Sequence, residues 1–190
     1  MFSINLGLIG TEDSRLDIFT NYLKELAIKH TSENLVYKYF LRYEGISMKL
    51  CVAIANDFDD LIPRNKEFKH FDAIILVVNF YNKDSISKYN FQHFLNFRNF
   101  FIFNGFSALV GVDTFLIQDR EVPENKEITE FNLIQKTKEL EFLYSFKIQD
   151  KRKDVIDLFN KLLSYINLRL RFLNPELFKR VKLSEQEFHR

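Results

Sequence analysis

Apolar and polar positions along the chain change period several times, and each change marks an element. Ile4–Ile9 is a continuous apolar run closed by Gly10, which predicts a buried strand and its exit turn. Leu16, Phe19, Leu23 and Leu26 then recur three or four residues apart, the spacing of one helix face, with Asp13 or Ser14 placed to cap it. Leu35–Tyr43 and Met48–Ala55 are rich in Val, Tyr, Leu and Ile and flank Glu44-Gly45, which predicts a hairpin. Asn56–His70 is polar, contains Pro63 and reads as a loop. Asp72–Asn79 is the clearest buried strand, and a continuous apolar run of that length suits a parallel sheet covered on both faces.

The second half continues the alternation. Asp84 is placed to cap a helix running to about Phe101, and Ser107–Gly111 is a further strand. A polar stretch with Pro123 precedes a helix near Ile128–Leu140 and a short strand, Phe142–Phe146. A long helix from about Lys153 to Leu173 stops at Asn174-Pro175. Strands alternating with helices predict an α/β fold, a mostly parallel six-stranded sheet with helices on both faces, in the element order of a small Ras-like GTPase. The expected division is one domain, 1–174, followed by a C-terminal tail, 175–190.

Composition narrows the class. At 190 residues and 46 % hydrophobic content the chain can bury a single large core. Its formal net charge of +1 supplies no global field toward nucleic acid or an anionic membrane. Two short basic stretches, Arg64–Lys69 and Lys147–Lys153, read as solvated surface, and direct DNA contact is not expected. Twenty-two Phe with no Trp, beside abundant Asn, Lys and Ile, reads as a codon bias toward A and T rather than a functional signal. Cys51 stands alone in an apolar run, so no intrachain disulfide forms and a reducing compartment is expected. No apolar run approaches the ~20 residues that span a bilayer, and no signal peptide or lipid anchor is read at either end, so no membrane role is expected.

The GTPase element order invites a check at each nucleotide motif. A P-loop reads G-x-x-x-x-G-K-[ST] between the first strand and first helix. Here Gly10 is in place, but Arg15 stands at the second glycine, Leu16 at the phosphate-binding lysine and Asp17 at the Mg²⁺-binding hydroxyl. Glu12 and Asp13 add carboxylates to the loop, and one like-charge contact at 4 Å costs about 4 kcal/mol at an effective dielectric near 20. The second metal motif, D-x-x-G, is replaced by Asn56-Asp57-Phe58 without its glycine. The base-reading motif N-K-x-D is reduced to Asp113, and Ser145-Phe146-Lys147 stands where Ser-Ala-Lys is usual. The four His are scattered and pair with neither Cys51 nor each other as metal ligands, and no nucleophile elbow exists. The sequence therefore predicts no catalytic residue, no metal, no cofactor and no bound nucleotide.

Leu8-Ile9-Gly10-Thr11-Glu12-Asp13 and Phe71–Asn79, followed by Lys83, Ser85 and Ile86, resemble the centromere protein M family, whose members look like inactive small GTPases. The resemblance covers about residues 4–23 and 49–105, whereas Thr31–Ile46, with its extra strand, is longer than the family pattern. It implies a non-catalytic pseudoGTPase in the nucleus, at the centromere and kinetochore. Its implied partners are the helical-repeat centromere protein I and the coiled-coil centromere proteins H and K, in support of chromosome segregation. The alternative is a divergent Ras- or Rab-like GTPase or pseudoGTPase of membrane traffic or polarity, against which the missing lysine and lipid anchor weigh. A partner surface is expected on the last helix, where Ile156, Tyr165, Leu168 and Phe172 lie off the apolar stripe that packs on the sheet.

Overall fold

The computed structural model describes residues 2–33, 36–113, 126–149, 152–176 and 178–179. Seven strands form one sheet: β1 (Phe2–Gly10), β2 (Lys29–Glu33), β3 (Val36–Tyr43), β4 (Ile46–Ala55), β5 (Ala73–Asn79), β6 (Phe106–Val112) and β7 (Tyr144–Ile148). Their order is β2-β3-β4-β1-β5-β6-β7. Neighbours from β4 to β7 run parallel, and β2 and β3 add an antiparallel end. The helices are α1 (Leu16–Leu26), α2 (Asp84–Ser87), α3 (Phe91–Phe100), α4 (Glu130–Glu139) and α5 (Arg152–Leu173).

Alternation along the central strands builds two cores. From β5, Ala73, Ile75 and Val77 enter one core with Phe19 and Leu23 of α1 and Val155, Leu158 and Leu162 of α5. Ile74, Leu76 and Val78 enter the other with Ile86 of α2, Phe94 and Phe97 of α3 and Leu133 of α4. The result is a three-layer α/β arrangement. Gly45, at φ 78°, turns the chain between β3 and β4 in a conformation that an L side chain rarely adopts.

The sheet has seven strands, one more than the six the sequence predicts. The additional strand, β2, reads Lys-His-Thr-Ser-Glu and carries no apolar alternation; it is specified by pairing with β3, from Lys29↔Phe40 to Glu33↔Val36. The helix expected from Asp84 to Phe101 divides into α2 and α3 because Asn90 starts a new one, its side chain accepting from the His93 amide at 3.0 Å. The expected Asp13 or Ser14 cap is absent: α1 is preceded by Arg15 in the left-handed region (φ 57°) with no side-chain cap, and Ser14 is fully buried. The loop Asn56–His70 contains a 3-10 helix, Asp59–Lys66, anchored by buried Leu61. The strand expected at Phe142–Phe146 lies two residues later, and Leu26 of the predicted α1 stripe is 42 % exposed. Beyond Asn174, Pro175, Glu176, Phe178 and Lys179 are helical, and Phe178 packs on the core shared by α1 and α5.

Candidate functional site

Open α/β sheets bind ligands outside the carboxyl ends of the strands, where the strand order reverses. Here that point lies between β1 and β5, in register from Leu6↔Ala73 to Gly10↔Val77. The loop after β1 carries Gly10, Arg15, Leu16 and Asp17, and the turn after β5 carries Asn79 and Asn82. The structure brings these two segments together.

The crevice is filled by its own side chains. A Cβ on Gly10 would meet Leu16 Cδ2 at 2.9 Å, Ser14 Cβ at 3.0 Å and the Val77 carbonyl at 3.1 Å, so the loop lies directly on the strand ends. Leu16 packs against the core that α1 and α5 share, which is why an apolar residue suits this position. The Thr11 hydroxyl donates to the Asp13 carboxylate and lies 2.9 Å from Ser14 Oγ. Asn82 donates to the same carboxylate at 2.6 Å, and Asn79 donates to the Asp13 carbonyl at 3.1 Å. Buried Ser85 holds the opposite turn, accepting from the Asn79 amide at 3.0 Å and donating to the Asn82 carbonyl at 2.6 Å. Two further amides are also committed, Ser14 of the loop to the Thr11 carbonyl at 2.9 Å and Ile18 in the first turn of α1 to the Arg15 carbonyl at 3.1 Å. An incoming phosphate would have to displace these bonds while meeting the Asp13 charge. The Arg15 guanidinium is paired with Asp17, Nε to Oδ1 at 3.0 Å. Gly10, Arg15, Leu16 and Asp17 thus hold the loop to itself.

The remaining motif positions are likewise occupied structurally. Asn56 and Asp57 donate their amides to Asp60 at 3.1 Å each. Phe58, where the metal motif continues, is fully buried against Phe94 and Phe97, with ring centroids 5.4 and 5.9 Å away. Tyr89 also edges onto Phe58, at 6.1 Å, and donates its hydroxyl to the Asn56 carbonyl at 2.9 Å. Burial, followed by the charges of Asp57, Asp13 and Asp60, pushes the Tyr89 phenol well above its ordinary value, so it stays a donor.

At the end of β6, the Asp113 side chain is 5 % exposed and accepts from Lys126 Nζ at 2.6 Å, Tyr81 Oη at 3.2 Å and Gln149 Nε2 at 3.4 Å. Burial works to raise its pKa, but the Lys126 hydrogen bond and charge, with the Gln149 and Tyr81 bonds, outweigh it and hold the carboxyl below its usual value. Lys147 lies 3.7 Å from Asp113 and 2.6 Å from Glu130. Thr114 and Phe115, and the polar stretch with Pro123, lie outside the described residues.

The four residues expected to form a partner face on α5 divide into two groups. Leu168 and Phe172 are 53 % and 76 % exposed, and Tyr165, half-buried, reaches the core with its ring 5.6 Å from Phe106. Ile156, also half-buried, precedes Tyr165 by nine residues, which at ~3.6 residues per turn puts it on the opposite flank. Tyr165, Leu168 and Phe172 therefore share a side and Ile156 does not. Among the described residues no group of three or more His, Cys, Asp or Glu is arranged to hold a metal ion. Among them, too, no helix is long and apolar enough to cross a membrane.

The sequence marks Asn79 and Ser85 only within the family resemblance and gives neither them nor Asn82 a part at the crevice, because that part depends on the turn after β5 folding back onto the loop after β1. Phe58 was masked by the polar composition around it; the recurring aromatics Phe58, Phe68 and Phe71 were the available signal.

Fold and crevice together define a three-layer α/β protein with a mostly parallel seven-stranded sheet, its ligand-binding corner filled by its own residues. No protein-family model matches the chain. A search of curated proteins likewise yields no match.

Proposed function

We propose that this chain is a pseudoGTPase that acts by binding protein partners, as a structural subunit of the inner kinetochore. One observation carries the non-catalytic part. Leu16, at the position of a phosphate-binding lysine, is packed on Gly10, while Asp13 takes up the neighbouring donors. Strand order supports the GTPase comparison: with β2 set aside, the sheet is an antiparallel hairpin strand followed by parallel strands β4-β1-β5-β6-β7, with helices on both faces. The kinetochore assignment rests on the resemblance of residues 4–23 and 49–105 to the centromere protein M family. It carries with it a nuclear, centromeric location and assembly with centromere proteins H, I and K. No cofactor has a role in this reading.

Two measurements test it. Titration calorimetry of the full chain with GTP, GDP and Mg²⁺ is expected to show no heat of binding; a dissociation constant below about 10 μM, near −7 kcal/mol, overturns the pseudoGTPase assignment. Affinity purification from its native cells with mass spectrometry is expected to recover inner-kinetochore subunits. Recovery of membrane tethers or a nucleotide-exchange factor instead overturns the kinetochore assignment and leaves the first measurement standing.

A further inference from the structure

On the sheet face opposite α1 and α5, Lys29 of β2 and Ser3 of β1 are exposed and Lys38, Phe40 and Lys49 are half-buried. Tyr39, Leu41, Met48 and Leu50 point into the core under the two helices, so their strand neighbours point the other way. Those neighbours are Lys38 and Phe40 on β3 and Lys49 and Cys51 on β4. In the ladder Phe40 stands between Lys29 and Lys49, and Lys38 between Thr31 and Cys51. Lys38 is therefore the diagonal neighbour of both Lys29 and Lys49, about 7–8 Å from each along the sheet, while Lys29 and Lys49 flank Phe40 two strand spacings, about 10 Å, apart. None of the three is in an ion pair among the described residues.

This face borders a cavity of about 540 Å³ lined by Lys38, Lys49, Asn5 and Cys51 on the sheet and by Glu67 and Phe68 on the facing segment. That segment is the basic stretch the sequence placed on solvated surface. Asn5 binds its end, donating to the His70 carbonyl at 3.0 Å. Lys66 and Lys69, on the same segment, are exposed, and Glu67 is the acid among the cavity's lining residues. A chain of net charge +1 thus lines this groove with Lys38 and Lys49 and sets Lys29 near them on the same sheet face.

The geometry points to this groove as a docking site for an acidic, extended peptide segment of a partner protein. Charge complementarity selects the occupant: clustered ammonium groups without carboxylate partners repel one another until an anion is bound. In an extended peptide, side chains two apart share a face and lie about 6.6–6.8 Å apart, close to the diagonal lysine spacing. A single-stranded nucleic acid fits less well, because the lysine face presents one aromatic platform, Phe40, rather than a series of them. The groove lies across the sheet from α5, so its test is independent of the kinetochore reading and of any partner on that helix.

The test uses the full chain and fluorescein-labelled octapeptides, (Ser-Glu)₄ and (Ser-Gln)₄, with labelled eight-nucleotide oligothymidylate as competitor class. Fluorescence polarisation is expected to show binding of the acidic peptide that weakens with added salt and is at least tenfold tighter than for the neutral one. Lys38→Glu with Lys49→Glu, and separately Lys38→Gln with Lys49→Gln, are expected to weaken it at least tenfold with the folded amide spectrum retained. Lys138→Glu, exposed on α4, is expected to change it less than twofold. Acidic peptide should shift amide resonances of β3 and β4. The inference is overturned if the acidic peptide does not bind, if folded double variants bind it as the wild type does, or if the oligonucleotide binds more tightly.

Discussion

Two aspartates at opposite ends of adjacent strands carry opposite electrostatic burdens. Asp72, just before β5, accepts the Asn5 amide at 2.8 Å. Burial raises its pKa more than that bond and the charges of His70 and Arg169 lower it. Folding therefore favours its protonated form, and stability falls as pH rises from the ordinary carboxylate value through the raised one. Asp72→Asn, which keeps an acceptor for Asn5, is expected to raise the melting temperature at pH 7 and to lose that advantage below the ordinary carboxylate value. Asp113 is the reverse case. Its lowered pKa contributes stability above the ordinary value that disappears as pH falls through the folded one. Asp113→Asn should lower stability at pH 7 by about 1 kcal/mol, a modest figure because Lys126 is nearly half exposed. The loss should shrink toward pH 3. Melting curves of both variants from pH 7 to 3 check the two signs together. The sequence placed Asp113 at a motif position but could not reveal its donors, which come from the turn after β5, from Lys126 and from β7 onward.

Among the elements, α5 separates burial from availability most cleanly. Val155, Leu158, Leu162, Leu163 and Ile166 are at most 5 % exposed and anchor the helix on the sheet, whereas Leu168 and Phe172 face away. Leu168→Glu with Phe172→Glu is therefore expected to change the unfolding free energy by less than about 1 kcal/mol. It should nevertheless abolish co-elution with a partner that docks on this side, read by circular dichroism and size-exclusion chromatography. Truncation of Leu162 to Ala should cost about 2–5 kcal/mol. This distinction was half visible in the sequence: three- and four-residue steps identify the anchoring stripe, and Leu168 and Phe172 fall off it. Ile156 also falls off it, but on the other flank, so apolarity outside a stripe does not by itself define a surface. Strand β2 was illegible for a different reason. Its residues are polar on both sides, and its identity comes from the β3 backbone beside it.

For the whole molecule, the parallel centre was the most legible part because β1, β4, β5 and β6 are apolar runs buried on two faces. At the crevice, the departure of Arg15, Leu16 and Asp17 from the P-loop pattern was legible, but the closure was not, since Asn79 and Asn82 enter from more than sixty residues away. This closure argues against rescue by one change. Leu16→Lys removes a packed side chain from Gly10 and leaves Asp13 and its donors in place, so no GTP binding or hydrolysis is expected. Measurable turnover by that variant would show that the crevice opens. The arrangement of β1 has a further consequence, for the chain while it is being made. Its neighbours, β4 and β5, are completed only at Ala55 and Asn79, after about forty-five and about seventy further residues of synthesis. At ~5–20 residues per second, the strand destined for the middle of the sheet spends several seconds as an unpaired apolar segment. A need for chaperone protection on the ribosome would then arise from this wiring, however stable the finished protein is.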